Sequence, residues 1–179
     1  MKVLSKALAA TLSLAGLFFV NTVYAQTTPA GKFNLNFGIE TGLPTGNASN
    51  YSTFTLCGTG RLQYGITNNL AIMFTTGAYH FFSQINPANG ERYSSYGVGP
   101  IKGGVKYFFV PGIYFAAEAG IGREVTQQGF VGGQTKLLIA PGVGYANKDW
   151  DFGIRYESLT GDANNYGIIS LRIAYGFGL

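Results

Sequence analysis

The sequence predicts an all-β chain, an eight-stranded antiparallel transmembrane up-and-down β-barrel after an N-terminal signal peptide, and three observations carry that expectation. From Lys32 to the end, apolar residues recur with period two, the period of a strand and not of a helix. The turn-forming segments between these runs alternate short and mostly longer. Charged residues make up 11% of the chain against 46% hydrophobic, roughly half the charge of an ordinary soluble domain. So few charges cannot coat a large wet surface.

The 179 residues suit one domain behind a leader. Lys2 and Lys6 form a basic start, Ala7 to Val20 an apolar stretch short for a bilayer, and Val23-Tyr24-Ala25 a small-residue cleavage pattern before Gln26. Residues 1–25 are therefore expected to be a signal peptide and residues 26–179 the barrel domain. Polar Asn21-Thr22 at once after the apolar run disfavours the alternative, an anchoring helix. Beyond residue 25 no run of about 18 apolar residues occurs, so a membrane can be crossed only with strands. Without Lys2 and Lys6, ten Lys and Arg face eight Asp and Glu, too slight an excess to suggest nucleic acid.

Each strand is read from its alternation. Phe33, Leu35, Phe37, Ile39, Thr41 and Leu43 share one face of the first, with Asn34, Asn36, Gly38, Glu40 and Gly42 opposite. Pro44 to Ser52 reads as a loop, and the second strand sets Phe54, Leu56, Leu62 and Tyr64 against Thr55, Cys57, Thr59, Arg61 and Gln63. After Gly65 to Asn69, the third carries Leu70, Ile72, Phe74 and Thr76 against Ala71, Met73 and Thr75. The loop from Ser83 to Ser95 holds the Asn89-Gly90 turn signal. Tyr96 to Phe109 is the fourth strand, closed by Val110-Pro111-Gly112. Ile113 to Ile121 is the fifth and Lys136 to Tyr145 the sixth, ending at Asn147-Lys148-Asp149. Trp150 to Glu157 is the seventh, and Ile169 to Leu179 the eighth. Runs of about ten residues suit tilted membrane strands. Pro100 and Pro141 are expected to mark bulges or edges of good pairing.

The charges decide which face is which. Glu40, Arg61, Lys102, Lys106, Glu118, Glu124, Lys136, Asp151, Arg155, Glu157 and Arg172 all lie opposite the bulky apolar residues, and Arg123 alone breaks the rule. An uncharged apolar face across eight strands suits hydrocarbon, and a face of small and charged residues suits a narrow interior. A soluble barrel of lipocalin type would have to bury nearly all of that charge in an apolar cavity. The expectation is therefore a lumen filled by an ion-pair network of Glu40, Arg61, Lys102, Lys106, Glu118, Lys136, Arg155, Glu157 and Arg172, with opposite signs meeting on adjacent strands. Tyr64, Tyr107, Phe109, Tyr145, Trp150, Tyr175 and Phe177 cluster at the short-turn ends and read as a membrane-interface girdle.

The strand-turn-strand Leu62-Gln63-Tyr64-Gly65-Ile66-Thr67-Asn68-Asn69-Leu70-Ala71-Ile72, the strand end Gly104-Val105-Lys106-Tyr107-Phe108-Phe109 and the alternating last strand resemble the small bacterial outer-membrane β-barrel family, the group of the OmpA membrane domain and the OmpX/Ail-like barrels. The resemblance covers the chain from residue 26 onward. It implies residence in the bacterial outer membrane among its lipids and insertion by the barrel-assembly machinery. Two departures matter. Leu179 ends the chain where the family usually has Phe, which weakens the terminal insertion signal. Nothing follows the eighth strand, so the cell-wall tether of full-length OmpA proteins is not implied.

The expected function is a barrel with a side-chain-filled lumen and a structural or surface-interaction role through its external loops. A small-solute or ion channel is the alternative, and an adhesin-like barrel a second one. Tyr51, Tyr93 and Phe130 lie among Asn, Gln, Gly and Ser, a composition that suits contact with host surfaces, phage or neighbouring proteins. No enzyme activity, cofactor or metal is expected. The lone His80, with Ser83 and Glu91, is too loosely spaced for a nucleophilic constellation and reads as a rim histidine beside Phe81 and Phe82. Cys57, the single cysteine, reads as a small inward filler.

Overall fold

The alternation of the sequence is realised in a computed structural model of the chain, which describes residues 28–126, 133–161 and 165–179. The expected signal peptide and Phe130 lie outside the described residues. Eight strands follow one another: β1 (Phe33–Gly46), β2 (Ser52–Gly65), β3 (Leu70–Ser83), β4 (Tyr96–Val110), β5 (Ile113–Thr126), β6 (Thr135–Ala146), β7 (Trp150–Thr160) and β8 (Tyr166–Gly178). Each pairs antiparallel with its sequence neighbour, and β8 returns to β1, closing the barrel. Closure removes the exposed strand edges that an open sheet would leave.

The register sets the barrel's width. Pairs followed around the wall run from Leu35 through Leu62, Phe74, Gly103, Ala119, Ile139, Ser158 and Gly167 and return to β1 at Thr45, ten residues above the start. Eight strands with that stagger tilt by about 40° and place the backbone about 8 Å from the axis. Such a tube has room for side chains and little more.

Three tight connections sit at one end: Ile66 to Asn69, Pro111-Gly112, and Asn147 to Asp149. Asn147 Oδ1 accepts the backbone N–H groups of Asp149 and Trp150, which pins the third of these. Gly112 occupies the left-handed region at φ 80°, and a Cβ there would strike the Tyr145 ring, so the turn demands glycine twice over. Phe33 and Leu179 lie at this same end, joined by the Leu179 N–H donating to the Phe33 carbonyl at 3.0 Å.

One sequence expectation is revised and another is narrowed. Pro44 lies inside β1, buried and aligned with Ile168, because only its missing N–H is lost and the strand continues to Gly46. A 3-10 turn over Asn47–Asn50 then leads into β2, so this outer connection is much shorter than the loop expected from Pro44 to Ser52. Pro100 and Pro141 mark edges of good pairing, as one of the two expected outcomes has it, and no bulge: β3–β4 pairing is interrupted between Thr76↔Ile101 and Tyr79↔Val98, and β6–β7 pairing between Ile139↔Ser158 and Gly142↔Arg155, without a change of register. Each proline lacks one ladder donor, and its other side stays paired, with Gly122 and Ala117 respectively. The register shifts that do occur lie between Ser52 and Phe54 and between Phe108 and Val110, at strand ends.

Candidate functional site

The period-two alternation turns every second side chain inward, and the interior these side chains build has three levels. At the short-turn end Asn36 donates to Asn34, and Gln63 donates to Asn36. Beside them Met73, Phe108, Tyr114, Ala116 and Ala146 pack together. Lys106 crosses from β4 to β7, its Nζ 2.7 Å from Asp151 and 4.0 Å from the centre of the Tyr114 ring. The Tyr114 hydroxyl donates to the other Asp151 oxygen at 2.6 Å.

The middle level is charged and buried. Arg61 and Arg155 each donate to Glu118 at 2.8 Å, and Thr75 donates to the same carboxylate. Arg155 also pairs with Glu40, and its Nε lies 2.7 Å from Glu157. Lys102 donates to Glu157 at 2.7 Å, and Arg172 donates through Nε to Glu40 at 3.2 Å. The Tyr79 hydroxyl lies 2.7 Å from Glu157 and 3.0 Å from Glu40. Charges taken out of water are destabilising unless they are paired and their remaining valences filled. Here each carboxylate of this level accepts from at least two donors, Glu157 through Oε1 alone while its Oε2 has no partner among the described residues.

Toward the long-loop end the interior becomes apolar. Phe81 stacks on Tyr96 with ring centres 4.2 Å apart, and Tyr166 meets Phe81 edge-on at 5.8 Å. Val98, Leu138, Leu159 and Ile168 belong to the same buried cluster. Lys136 lies 3.9 Å from Glu124 and 5.7 Å from the centre of the Tyr166 ring, and the Tyr166 hydroxyl donates to Glu124 at 2.8 Å. An aromatic and aliphatic stopper thus covers the charged level from above, as the amide and Tyr114 group does from below.

The expected residues Glu40, Arg61, Lys102, Lys106, Glu118, Lys136, Arg155, Glu157 and Arg172 all point inward and are buried. Their partners differ from the expectation. Opposite signs meet mostly across the tube, as in Arg61–Glu118 and Lys102–Glu157, because the backbone wall is close enough for long side chains to reach the far strand. Glu40–Arg172 is the expected kind of pair between adjacent strands. Asp151, left out of the expected network, is one of its centres, with Lys106 at 2.7 Å and both Arg61 and Arg172 at 3.7 Å. The stopper was also missed. Its signal stands in Leu137-Leu138-Ile139 and Ile168-Ile169, where consecutive apolar residues break the alternation and so place bulk on both faces.

Outside, large apolar residues are exposed on all eight strands, among them Phe37, Ile39, Phe74, Ile101, Phe115, Ile139, Ile154 and Ile173. At the short-turn end Phe33 lies on Tyr64 with centres 4.8 Å apart, Trp150 meets Tyr175 at 5.2 Å, and Tyr175 meets Phe177 at 5.0 Å. Tyr107 and Phe109 are exposed on β4, and Tyr145 is half-buried over Gly112. Arg123 points outward near the opposite end.

At the long-loop rim, two connections form one ordered surface. Tyr51 meets the Tyr93 ring edge-on at 5.0 Å, the Gln84 N–H donates to the Tyr51 carbonyl at 2.9 Å, and Ile85 bridges Arg92. Gly90 closes the tip at φ 73°. His80 and Ser83 leave opposite faces of β3: His80 packs edge-on against outward Phe82 at 4.6 Å, while Ser83 is buried beside Ser95. Phe81, expected beside His80, lies on the inward face because it is one residue further along the strand. Glu91 faces Asn89 in the exposed tip, so these three residues form no joint site. Cys57 is buried facing the lumen.

No family model matches the chain, and no curated protein matches it. Solved structures do. Ail, the attachment invasion locus protein of Yersinia pestis, superimposes with a TM-score of 0.56 at 11% identity over 83% of this chain and 99% of that one. Neisserial surface protein A gives 0.53 at 16% identity over 81% and 97%, and the N-terminal barrel of OprF from Pseudomonas aeruginosa 0.51 at 11% over 83% and 98%. Ail has also been solved with the heparin analogue sucrose octasulfate. At these identities the likeness concerns the fold: this chain has the architecture of the small eight-stranded outer-membrane barrels.

Proposed function

We propose that the chain is an integral barrel of the bacterial outer membrane, exported by its first 25 residues, sealed along its lumen, and active through the rim formed by its long loops. One observation carries the reading: among the described strand residues, charge is kept inside the wall with the exception of Arg123, while the outward face is apolar all the way round. That face is far larger than the apolar patches of soluble monomers. The aromatic group of Tyr64, Tyr107, Phe109, Tyr145, Trp150, Tyr175 and Phe177 serves as the periplasmic interface girdle, and the short turns face the periplasm.

The three interior levels favour a plug over a channel, since a stopper lies at either end of the charged level. The rim is polar and aromatic, with Tyr51, Tyr93, Gln84, Asn86 and Asn89 on ordered backbone, and it suits a surface-contact role. Polyanion binding of the kind the Ail complex shows is not favoured there: Arg92, on the β3–β4 connection, already donates to the Ser83 carbonyl at 2.8 Å, and Glu91 lies beside it. No catalytic role is assigned.

Expressed with its leader in a Gram-negative cell, the protein is expected in the outer-membrane fraction as a band whose gel mobility changes on boiling. The purified barrel is expected to give no sustained conductance steps in planar bilayers. Recovery in the soluble fraction contradicts the location, and stable open steps would restore the channel reading.

A further inference from the structure

The charged level of the lumen does not balance. Among the described residues, Arg61, Lys102, Lys106, Arg155 and Arg172 are buried with Glu40, Glu118, Asp151 and Glu157, five cations against four carboxylates, and the separate Lys136–Glu124 pair nearer the rim leaves the excess unchanged. Of the three buried arginines, Arg172 makes the fewest hydrogen bonds. Its Nε donates to Glu40, but neither terminal nitrogen has a hydrogen-bond partner among the described residues, although the side chain is 98% buried. Asp151 Oδ2 lies 3.7 Å from Nη1, too far for a hydrogen bond and already accepting from Lys106. A guanidinium deprived of water with two nitrogens unpaired is strongly destabilising unless something fills those valences.

There is space for a filler. A cavity of about 20 Å³ lies among Arg61, Glu118, Arg155 and Arg172 and extends to Val143 and Ile154 in the wall, where Pro141 interrupts the β6–β7 ladder. That volume holds one water-sized occupant. Both Glu118 oxygens are already engaged, by Arg61, Arg155 and Thr75. Three guanidinium groups around one small space favour a negative occupant over water, because a water neutralises nothing and the surrounding medium screens little.

We propose that the folded barrel holds one small monovalent anion of the chloride class in its lumen, bound by the free terminal nitrogens of Arg172 between Arg61 and Arg155. The anion neutralises the unmatched cation and makes the charged level complete. This rests on the sealed-lumen reading for the retention of the ion, yet it can fail while that reading stands, because a sealed barrel without an anion still conducts nothing.

The test uses the barrel purified in detergent micelles, with potassium chloride, bromide or gluconate at the same ionic strength of about 0.15 M. Chloride and bromide are expected to raise the thermal unfolding midpoint over gluconate by on the order of 4 °C, as for a ligand about tenfold above its dissociation constant. Arg172→Gln is expected to lose that difference, and Arg123→Gln, on the outward face, to keep it. Crystals grown in bromide settle the matter even if Arg172→Gln does not fold: an anomalous peak within hydrogen-bond distance of Arg172 is expected. Equal midpoints in all three salts overturn the proposal, as does bromide density found only at the rim loops with water beside Arg172.

Discussion

Glu118→Ala is expected to destabilise the barrel by about 3–5 kcal/mol, among the largest effects any single interior substitution should show. The carboxylate holds Arg61 and Arg155 at 2.8 Å each and takes the Thr75 hydroxyl, so its removal leaves two buried guanidinium groups short of charge and of acceptors. Most of the penalty is the stranded positive charge and not the lost attraction. Equilibrium unfolding in urea from micelles measures it, with Glu118→Gln as the conservative companion that keeps an acceptor and loses the charge. A pair substitution, Glu118→Ala with Arg61→Met, is expected to recover part of the loss, because the two residues share one interaction. A Glu118→Ala barrel as stable as the parent would mean that the interior admits water freely, and the sealed-lumen account would fail.

Ile39→Arg tests the other face and is expected to cost about 2–4 kcal/mol in a lipid bilayer. Ile39 is 62% exposed near the middle of β1, with Gly58 and Ile173 beside it on the neighbouring strands. Hydrocarbon there cannot solvate a guanidinium, and the nearest interface is several residues away in either direction. In a barrel surrounded by water the same exposed substitution would lie within about 0.5 kcal/mol of neutral. Refolding into vesicles of dilauroyl phosphatidylcholine, followed by denaturant titration, separates the two outcomes.

Much of this architecture is legible in the sequence because the strand period is short and strict. One face of β1 reads Phe33, Leu35, Phe37, Ile39 and the other Asn34, Asn36, Gly38, Glu40, and a pattern with period two leaves no freedom over which residues turn inward once the charges are placed. The pairing inside was not legible. Arg61 lies on β2 and Glu118 on β5, 57 residues apart, and nothing local links them; the contact exists because the stagger of ten residues fixes a narrow tube. Asp151 illustrates the same limit, since a walk along adjacent strands does not bring it to Lys106 on β4. The apolar stopper was legible in principle. Leu138 and Ile168 stand in inward positions within continuous apolar runs, and the alternation of their neighbours masked them. Which of the two expected effects proline has was not legible: in a closed barrel a strand has two partners, so Pro141 can surrender pairing with β7 and keep its place beside Ala117 without any bulge.

The contact between hydrocarbon and the outward face is measured most directly by nitroxide labels, placed one at a time at Ile39, Phe74, Ile101, Ile139 and Ile173 in a Cys57→Ala background and folded into bilayers. Collision with oxygen, which concentrates in lipid, is expected to be high at every position, and collision with a water-soluble nickel chelate low. Labels that meet the chelate freely on even one side of the ring would show that water, and not lipid, surrounds this wall.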